Sequence, residues 1–480
     1  MSLPTVLENI VAQRRTHVPE ITDRIAHVDR TSLPTSTRSL YRSLRAGGRG
    51  SAHFIMECKA ASPSLGLIRD NYHPAEIARI YSKYAAGISV LCEPERFNGD
   101  YNHLATVAAT THLPVLCKDF IIDPVQIYAA RYFGADAILL MLSVLDDSTY
   151  TELAAIADSL GLDILTEVID AEEIARALRL GAKIIGINNR NLHDLTIDLN
   201  RTKELSVLAP DDVVVISESG IRNNKSVRDL AGYCNGFLVG SQLTGTPDID
   251  FAIRQLLYGN VKVCGLRTPE AAQVAAAQGA SFGGLITVTE SPRYVSRETA
   301  KEIMDAAPQL RYVSVTRETT DLSNAFLPGI HALQLHAPFQ GSAAGELEYI
   351  TYARAHITKY YPGQVVQTWR AVSMTNPEAV AALPEIVAHV DHLVLDSQQG
   401  GSGEVFPWER IPTEVKAKAF LAGGVGPSNI TAALAQNCAG IDLNSGVEYP
   451  KTAGAWAQHK DAGALGRTCA AIRNYHRALE

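Results

Sequence analysis

The stretches Glu57-Cys58-Lys59-Ala60-Ala61-Ser62-Pro63-Ser64 and Lys262-Val263-Cys264-Gly265-Leu266 each place reactive side chains on a short apolar run. Both read as the opening strand of a (β/α)8 barrel, a fold that gathers its chemistry at the C-terminal ends of its strands. From the first stretch outward, eight apolar runs rich in β-branched residues follow: His53–Lys59, Ile88–Cys92, Pro114–Lys118, Ala137–Leu140, Asp163–Val168, Lys183–Asn188, Val213–Ser219 and Gly236–Ser241. Near-continuous apolarity, rather than alternation, is what a parallel strand covered on both faces requires. The segments between them, such as Pro74–Tyr84 and Ala171–Leu180, space apolar residues three and four apart, and Gly87, Gly134 and Gly181 stand where helices end.

The second stretch opens a like series: Val261–Leu266, Gly283–Ile286, Tyr312–Val315, Ala332–His336, Val365–Thr368, Leu393–Asp396, Phe420–Gly424 and Ile441–Glu448. Strand, helix, strand, eight times in each half, predicts an α/β protein of two tandem (β/α)8 TIM barrels, over residues 1–257 and 260–480. The boundary is expected near Leu257-Tyr258-Gly259-Asn260. An amphipathic stretch, Thr5–Arg15, predicts a helical extension capping the first barrel, followed by polar sequence with Pro19 and Pro34.

Composition narrows the class. The 480 residues are 46% hydrophobic and 20% charged, a globular balance rather than a disordered one. No apolar run approaches the roughly 20 residues of a membrane span, and the first ten residues lack the basic-then-apolar order of a signal peptide, so a cytoplasmic chain without membrane association is expected. A net charge of −8 without a basic block argues against nucleic acid. The seven cysteines (58, 92, 117, 234, 264, 438 and 469) form no Cys-x-x-Cys pair, which suggests neither a disulfide framework nor a zinc cluster. The expectation is a monomer acting on small molecules.

Charged residues at predicted strand ends mark two sites. In the first barrel Glu57 and Lys59 alternate along strand one and share a face, Lys118 closes strand three, Glu167 strand five, Asn188 strand six with Arg190 just beyond, and Glu218 strand seven. Two lysines and three glutamates at one mouth can set an acid and a base against each other at neutral pH. In the second barrel Cys264 shares the face of Lys262, His336 ends strand four, Asp396 ends strand six, and Arg293 lies in the loop after strand two. A thiolate and a carboxylic acid on opposite sides of a sugar can move protons on and off it. Small residues at the ends of strands seven and eight, Ser219-Gly220 and Gly240-Ser241 in one half, Gly423-Gly424 and Ser445-Gly446 in the other, let backbone amides approach an anion, the recurrent phosphate site of this fold. Gly400-Gly401-Ser402-Gly403 adds a further amide-rich loop.

Several of these motifs together resemble known families. Glu57-Cys58-Lys59 through Ser62-Pro63-Ser64, Lys118-Asp119-Phe120, Thr166-Glu167-Val168, Gly186 through Leu192, and Ser217-Glu218-Ser219-Gly220-Ile221 resemble indole-3-glycerol-phosphate synthase. The resemblance implies closure of 1-(2-carboxyphenylamino)-1-deoxyribulose 5-phosphate to an indole with loss of carbon dioxide and water. It casts Lys118 as general acid, Glu167 as general base, Glu57, Lys59 and Asn188 as orienting groups, and Ser62, Gly220, Gly240 and Ser241 around the phosphate. Ala60 and Leu65 depart from it, since that family often has lysine there.

Lys262-Val263-Cys264-Gly265, Gly283 through Ile286, Ser291-Pro292-Arg293, Gln334-Leu335-His336, Leu395-Asp396, Gly400 through Gly403, Leu421 through Gly424, and Asp442 with Ser445-Gly446-Val447-Glu448 are similar to phosphoribosylanthranilate isomerase. That similarity implies an Amadori rearrangement with Cys264 as base, Asp396 as acid and Arg293 on the substrate, with Gly401, Gly403, Gly423, Gly424, Asp442, Ser445 and Gly446 lining the pocket. Arg267 departs from it, where threonine is frequent. Neither chemistry calls for a metal or organic cofactor. Two other readings fit the phosphate sites: a different tandem of sugar-phosphate isomerases, and a non-catalytic sugar-phosphate-binding regulator. Cys264 with Asp396 argues against the first, and the joint presence of Lys118, Glu167, Cys264 and Asp396 against the second.

Overall fold

Hydrophobic strands that must be covered on both faces close on themselves, and the chain does so twice. The computed structural model describes residues 5–191, 195–397 and 406–476. In the first closed barrel the strands are β1 (His53–Cys58), β2 (Gly87–Leu91), β3 (Val115–Lys118), β4 (Ala137–Met141), β5 (Asp163–Val168), β6 (Ile184–Asn188), β7 (Val214–Glu218) and β8 (Gly236–Val239). Each pairs in parallel with the next, and β8 returns to β1 with His53 beside Gly236. The second is built the same way from β9 (Asn260–Val263), β10 (Phe282–Ile286), β11 (Arg311–Thr316), β12 (Ala332–Leu335), β13 (Gln367–Ser373), β14 (His392–Asp396), β15 (Ala419–Leu421) and β16 (Gly440–Leu443), and β16 closes on β9 with Lys262 beside Asp442. The chain divides into two compact units, one running to Ile253 and the other Arg254–Tyr475, so the division falls within the helix Ile249–Tyr258.

The two expected strand series are present, with one marked shift. The fifth strand of the second barrel was expected at Val365–Thr368, yet Val365 is 91% exposed and the strand runs Gln367–Ser373. The charge of Arg370 hides it from an apolar pattern. The side chain is nonetheless buried, because it points at the helix Ala343–Tyr360, where Nε and Nη2 meet the two oxygens of Glu346 at 2.6 and 2.8 Å. Its remaining N–H groups donate to the carbonyls of Leu335, Ala337, Pro338 and Ala371.

The N-terminal extension also differs from its expected length. The first helix, α1, spans Thr5–Arg24 and continues through Pro19. Proline removes one i→i−4 hydrogen bond, but the buried face of Leu7, Ile10, Val11 and Ile21 continues past it. A second helix, α2 (Leu40–Arg45), buries Leu40 and Leu44 in one cluster with Ile55, Leu116, Leu165, Ile184 and Val214. Gly87 at the start of β2 leaves the space that Leu40 fills. In the second barrel aromatic rings take the corresponding place. Phe282, Trp369, His392 and Phe420, all near the N-terminal ends of their strands, pack at 4.7–5.8 Å between centroids. Among the described residues no helix is long and apolar enough to cross a membrane.

Replacing Glu346 by Ala leaves the Arg370 guanidinium buried without a counter-charge, and is expected to destabilise the second barrel by about 3 kcal/mol. All three tryptophans (369, 408 and 456) lie in that half. A lower denaturant midpoint in tryptophan fluorescence is the expected outcome.

Candidate active sites

At the mouth of the first barrel, Glu57, Lys118, Glu167, Asn188 and Glu218 all stand at or next to the last residue of a strand. Glu57, Glu167 and Glu218 are nearly fully buried. Lys118 Nζ lies 2.8 Å from Glu218 Oε2 and 3.6 Å from Glu57 Oε2, and Lys59 Nζ lies 2.5 Å from Glu57 Oε1. Asn188 Nδ2 donates to Glu167 Oε1 at 3.1 Å. Three carboxyls thus face two ammonium groups, and one is left without compensation. Burial, together with the charge of Glu218, raises Glu167 to about 7 against the opposing pull of Lys118. Burial alone would raise Glu57 too, but Lys59 and Lys118 hold it below the usual carboxylate range. Burial would lower Lys118, and Glu218, Glu57 and Glu167 overcome that and raise it.

Ser62, Arg190, Ser219 and Ser241 line the same cavity as these charged groups. Arg190 is set by its own N–H, which donates to Asn188 Oδ1 at 3.0 Å. Gly220 and Gly240 serve close packing. A Cβ on Gly240 would overlap the Glu57 carboxylate, and Gly220, with φ of +83°, takes a left-handed conformation that also brings it against Ile197.

In the second barrel Cys264, Arg293, His336, Asp396, Gly423, Gly424, Asp442 and Ser445 line one cavity. Gly446 abuts the backbone of Val425, while Gly401 and Gly403 lie outside the described residues. Burial raises Asp396 to about 6, and Asp442 adds to this while the Ser397 N–H, 2.7 Å from Oδ1, opposes it. Burial, with the charges of Arg370, Lys262 and Arg317, lowers His336 to about 3, so the ring is neutral at neutral pH. Gln334 Nε2 sits 3.1 Å from His336 Nδ1. Burial raises the Cys264 thiol, and Lys262 opposes that rise.

Family models match both halves: indole-3-glycerol phosphate synthase over residues 7–256 and N-(5'phosphoribosyl)anthranilate isomerase over 261–455. The tryptophan biosynthesis protein TrpCF of Corynebacterium glutamicum is 60% identical over 475 residues, covering 99% of each chain. That of Yersinia pestis is 46% identical over 420 residues, 87% of this chain and 84% of the other. The chain belongs to the fused synthase–isomerase family of tryptophan biosynthesis. Among solved structures, phosphoribosyl anthranilate isomerase from Thermus thermophilus aligns with 44% of this chain and 97% of its own, at 27% identity and a TM-score of 0.35.

Several residues of both sites lie beyond what strand-end reasoning finds. In the synthase barrel Leu7 and Ile10 of α1 reach the cavity, as do Phe97 and Phe120. Phe120 is anchored by its neighbour Asp119, whose carboxylate accepts from Arg14 of α1 at 2.5 Å and from Tyr101 at 3.0 Å. In the isomerase barrel Arg293 donates along one edge, through Nε and Nη2, to both oxygens of Glu448 at 2.8 and 2.7 Å, and Lys460 bonds the same carboxylate at 2.7 Å. Arg267, the departure noted in the sequence, donates to the carbonyl of Pro292 and so braces the loop that carries Arg293. Arg317, Gln334 and Asn444 also line this cavity.

Two glycines are fixed by neighbouring functional groups. A Cβ on Gly284 would stand 2.7 Å from Cys264 Sγ, and one on Gly186 would overlap the Glu218 carboxylate. Gly186→Ala is expected to push Glu218 off Lys118 and to lower kcat/KM for ring closure by about 100-fold. Isomerisation by the same protein should stay within about twofold, measured by loss of anthranilate fluorescence.

Proposed function

We propose that the two cavities carry out successive steps with the residues named above. In the isomerase barrel Asp396, as a carboxylic acid, gives its proton to the ring oxygen of N-(5-phosphoribosyl)anthranilate. The C1'–O bond breaks and the nitrogen lone pair forms the iminium. Cys264, as thiolate, then removes the proton from C2', and the electron pair neutralises the iminium to an enolamine that tautomerises to the ketone product. Arg293 contacts the substrate, and the phosphate rests on the backbone at Gly423, Gly424 and Ser445, with Gly446, Gly401 and Gly403 assigned to the same end by resemblance. His336 and Asp442 line the sugar.

In the synthase barrel Lys118 protonates the C2' carbonyl oxygen as the aryl carbon bearing the carboxylate attacks C2'. Carbon dioxide leaves and aromaticity is restored. Lys118 regains a proton from solvent and gives it to the tertiary hydroxyl, which departs as water, while Glu167 accepts the proton released by the new double bond. Glu57, Lys59 and Asn188 hold these groups in place, Glu218 fixes Lys118, and Arg190, Ser62, Ser219, Gly220, Gly240 and Ser241 surround the substrate and its phosphate. The observation that carries the reading is the partition of the four key groups, with Lys118 and Glu167 lining one cavity and Cys264 and Asp396 another.

The partition has a direct test with both substrates supplied to the full-length protein. Lys118→Ala or Glu167→Gln should abolish indole absorbance and leave isomerisation, and Cys264→Ala or Asp396→Asn should do the reverse. Loss of both activities from a folded variant would refute the two-site assignment.

A base works only when deprotonated, and Glu167 holds its proton up to about pH 7. The kcat for indole formation should therefore rise about tenfold per pH unit below about 7 and level off above it. Lys118, raised above the usual lysine range, should stay protonated throughout that interval. A rate that falls as pH climbs from 5 to 7 would contradict this role for Glu167.

A further inference from the structure

Lys262 is fully buried on β9, two residues before Cys264 of the isomerase cavity. It donates to Asp442 Oδ2 at 2.7 Å, from the strand position directly beside it, and shares a strand face with Cys264, two residues along. The other oxygen, Asp442 Oδ1, is buried without a hydrogen-bond partner, and Asp442 lines the cavity. An unpaired lysine at such a depth is costly, and one buried only for barrel packing would be better replaced by an apolar side chain.

We infer that Lys262 is a positioning residue that keeps Cys264 able to accept a proton, and that Asp442 limits how much of the lysine's charge reaches the sulfur. The inference rests on Cys264 being the base. Burial by itself drives the thiol toward its neutral form, so the site must supply positive charge close to sulfur. Three cations bear on Cys264. Arg293, from the loop after β10, and Lys460, after β16, share the single carboxylate of Glu448, and burial draws Lys460 toward its neutral form. Lys262, on the same strand face as Cys264, opposes the rise of the thiol most, and among the described residues its ion-pair partner is Asp442 alone. Across the cavity, Asp396 and the neutral ring of His336 also sense the charge of Lys262, so one ammonium group biases both the base and the acid.

Opposite substitutions separate this role from a structural one. The readout is the pH midpoint for iodoacetamide alkylation of Cys264 in the full-length protein, followed by peptide mass so that Cys438 is scored separately. Lys262→Met should move that midpoint upward by about one pH unit or more, and Lys262→Arg should return it toward the parent value. Asp442→Asn should move it downward. Each pH unit gained by the thiol should cost about tenfold in isomerisation kcat/KM near neutral pH, with indole formation by the synthase barrel unchanged.

Midpoints that stay in place, or that move the same way in the Met and Asn variants, would overturn the inference. If Lys262→Met fails to fold, the near-isosteric Asp442→Asn decides alone, since a midpoint unmoved or moved upward refutes it. Failure of the underlying reading is distinct: isomerisation would survive Cys264→Ala while the alkylation midpoints still responded to Lys262.

Discussion

A charge carried under the rim of a barrel loses most of its water, and it persists only where another charge or a set of donors replaces that water. Both mouths obey this constraint. In the synthase barrel Lys118 is held by Glu218 and Glu57, and in the isomerase barrel Lys262 is held by Asp442. Strand pairing makes the second pairing unavoidable, because closure of β16 on β9 sets Lys262 and Asp442 side by side. What the pairing leaves over is chemically poised. Burial, reinforced by neighbouring carboxylates, raises Glu167 to about 7 and Asp396 to about 6. Groups of this kind can gain and lose a proton within the working pH range of an enzyme.

The space for these charges comes from missing side chains. Gly186 and Gly240 leave room for the carboxylates of Glu218 and Glu57, and Gly284 leaves room for the sulfur of Cys264. The opposite ends of the barrels do different work. There the first barrel buries leucines of α2, while the second packs its own aromatic rings. Stability is thus built at one end of the strands and chemistry at the other, as in other barrels of this type.

One architecture here supports two unlike reactions, which shows how little of the chemistry the fold itself dictates. The synthase barrel uses ammonium and carboxylate groups and borrows an apolar wall from an element outside the barrel, α1, tied in through Arg14 and Asp119. The isomerase cavity is lined instead by a thiol, Cys264, two carboxyls, Asp396 and Asp442, and the paired cation Arg293. The ketone formed by the second barrel is the compound that the first closes to an indole. In both, most of the charged groups and their nearest partners, such as Glu57, Lys118, Glu218, Lys262 and Asp442, are carried on strands, and loops and flanking helices add Arg293, Glu448 and Leu7.

Much of this was legible in the residues alone. Covered parallel strands announce themselves as apolar runs, and side chains at their ends face the mouth by geometry, which is why Glu57, Lys118, Glu167, Cys264 and Asp396 stand out in a bare sequence. Arg370 shows where such reading fails, since an arginine inside a strand looks like a loop until Glu346 is folded against it. The course of α1 through Pro19 was hidden for a similar reason: a proline breaks a pattern locally, while packing of Leu7, Ile10 and Ile21 holds the helix globally. The sequence determined the repeated fold and the chemical types at each mouth, because both are encoded within a few consecutive residues. Only the tertiary structure decided which charge pairs with which, and therefore which carboxyl keeps its proton, because that depends on distances between strands far apart in the chain.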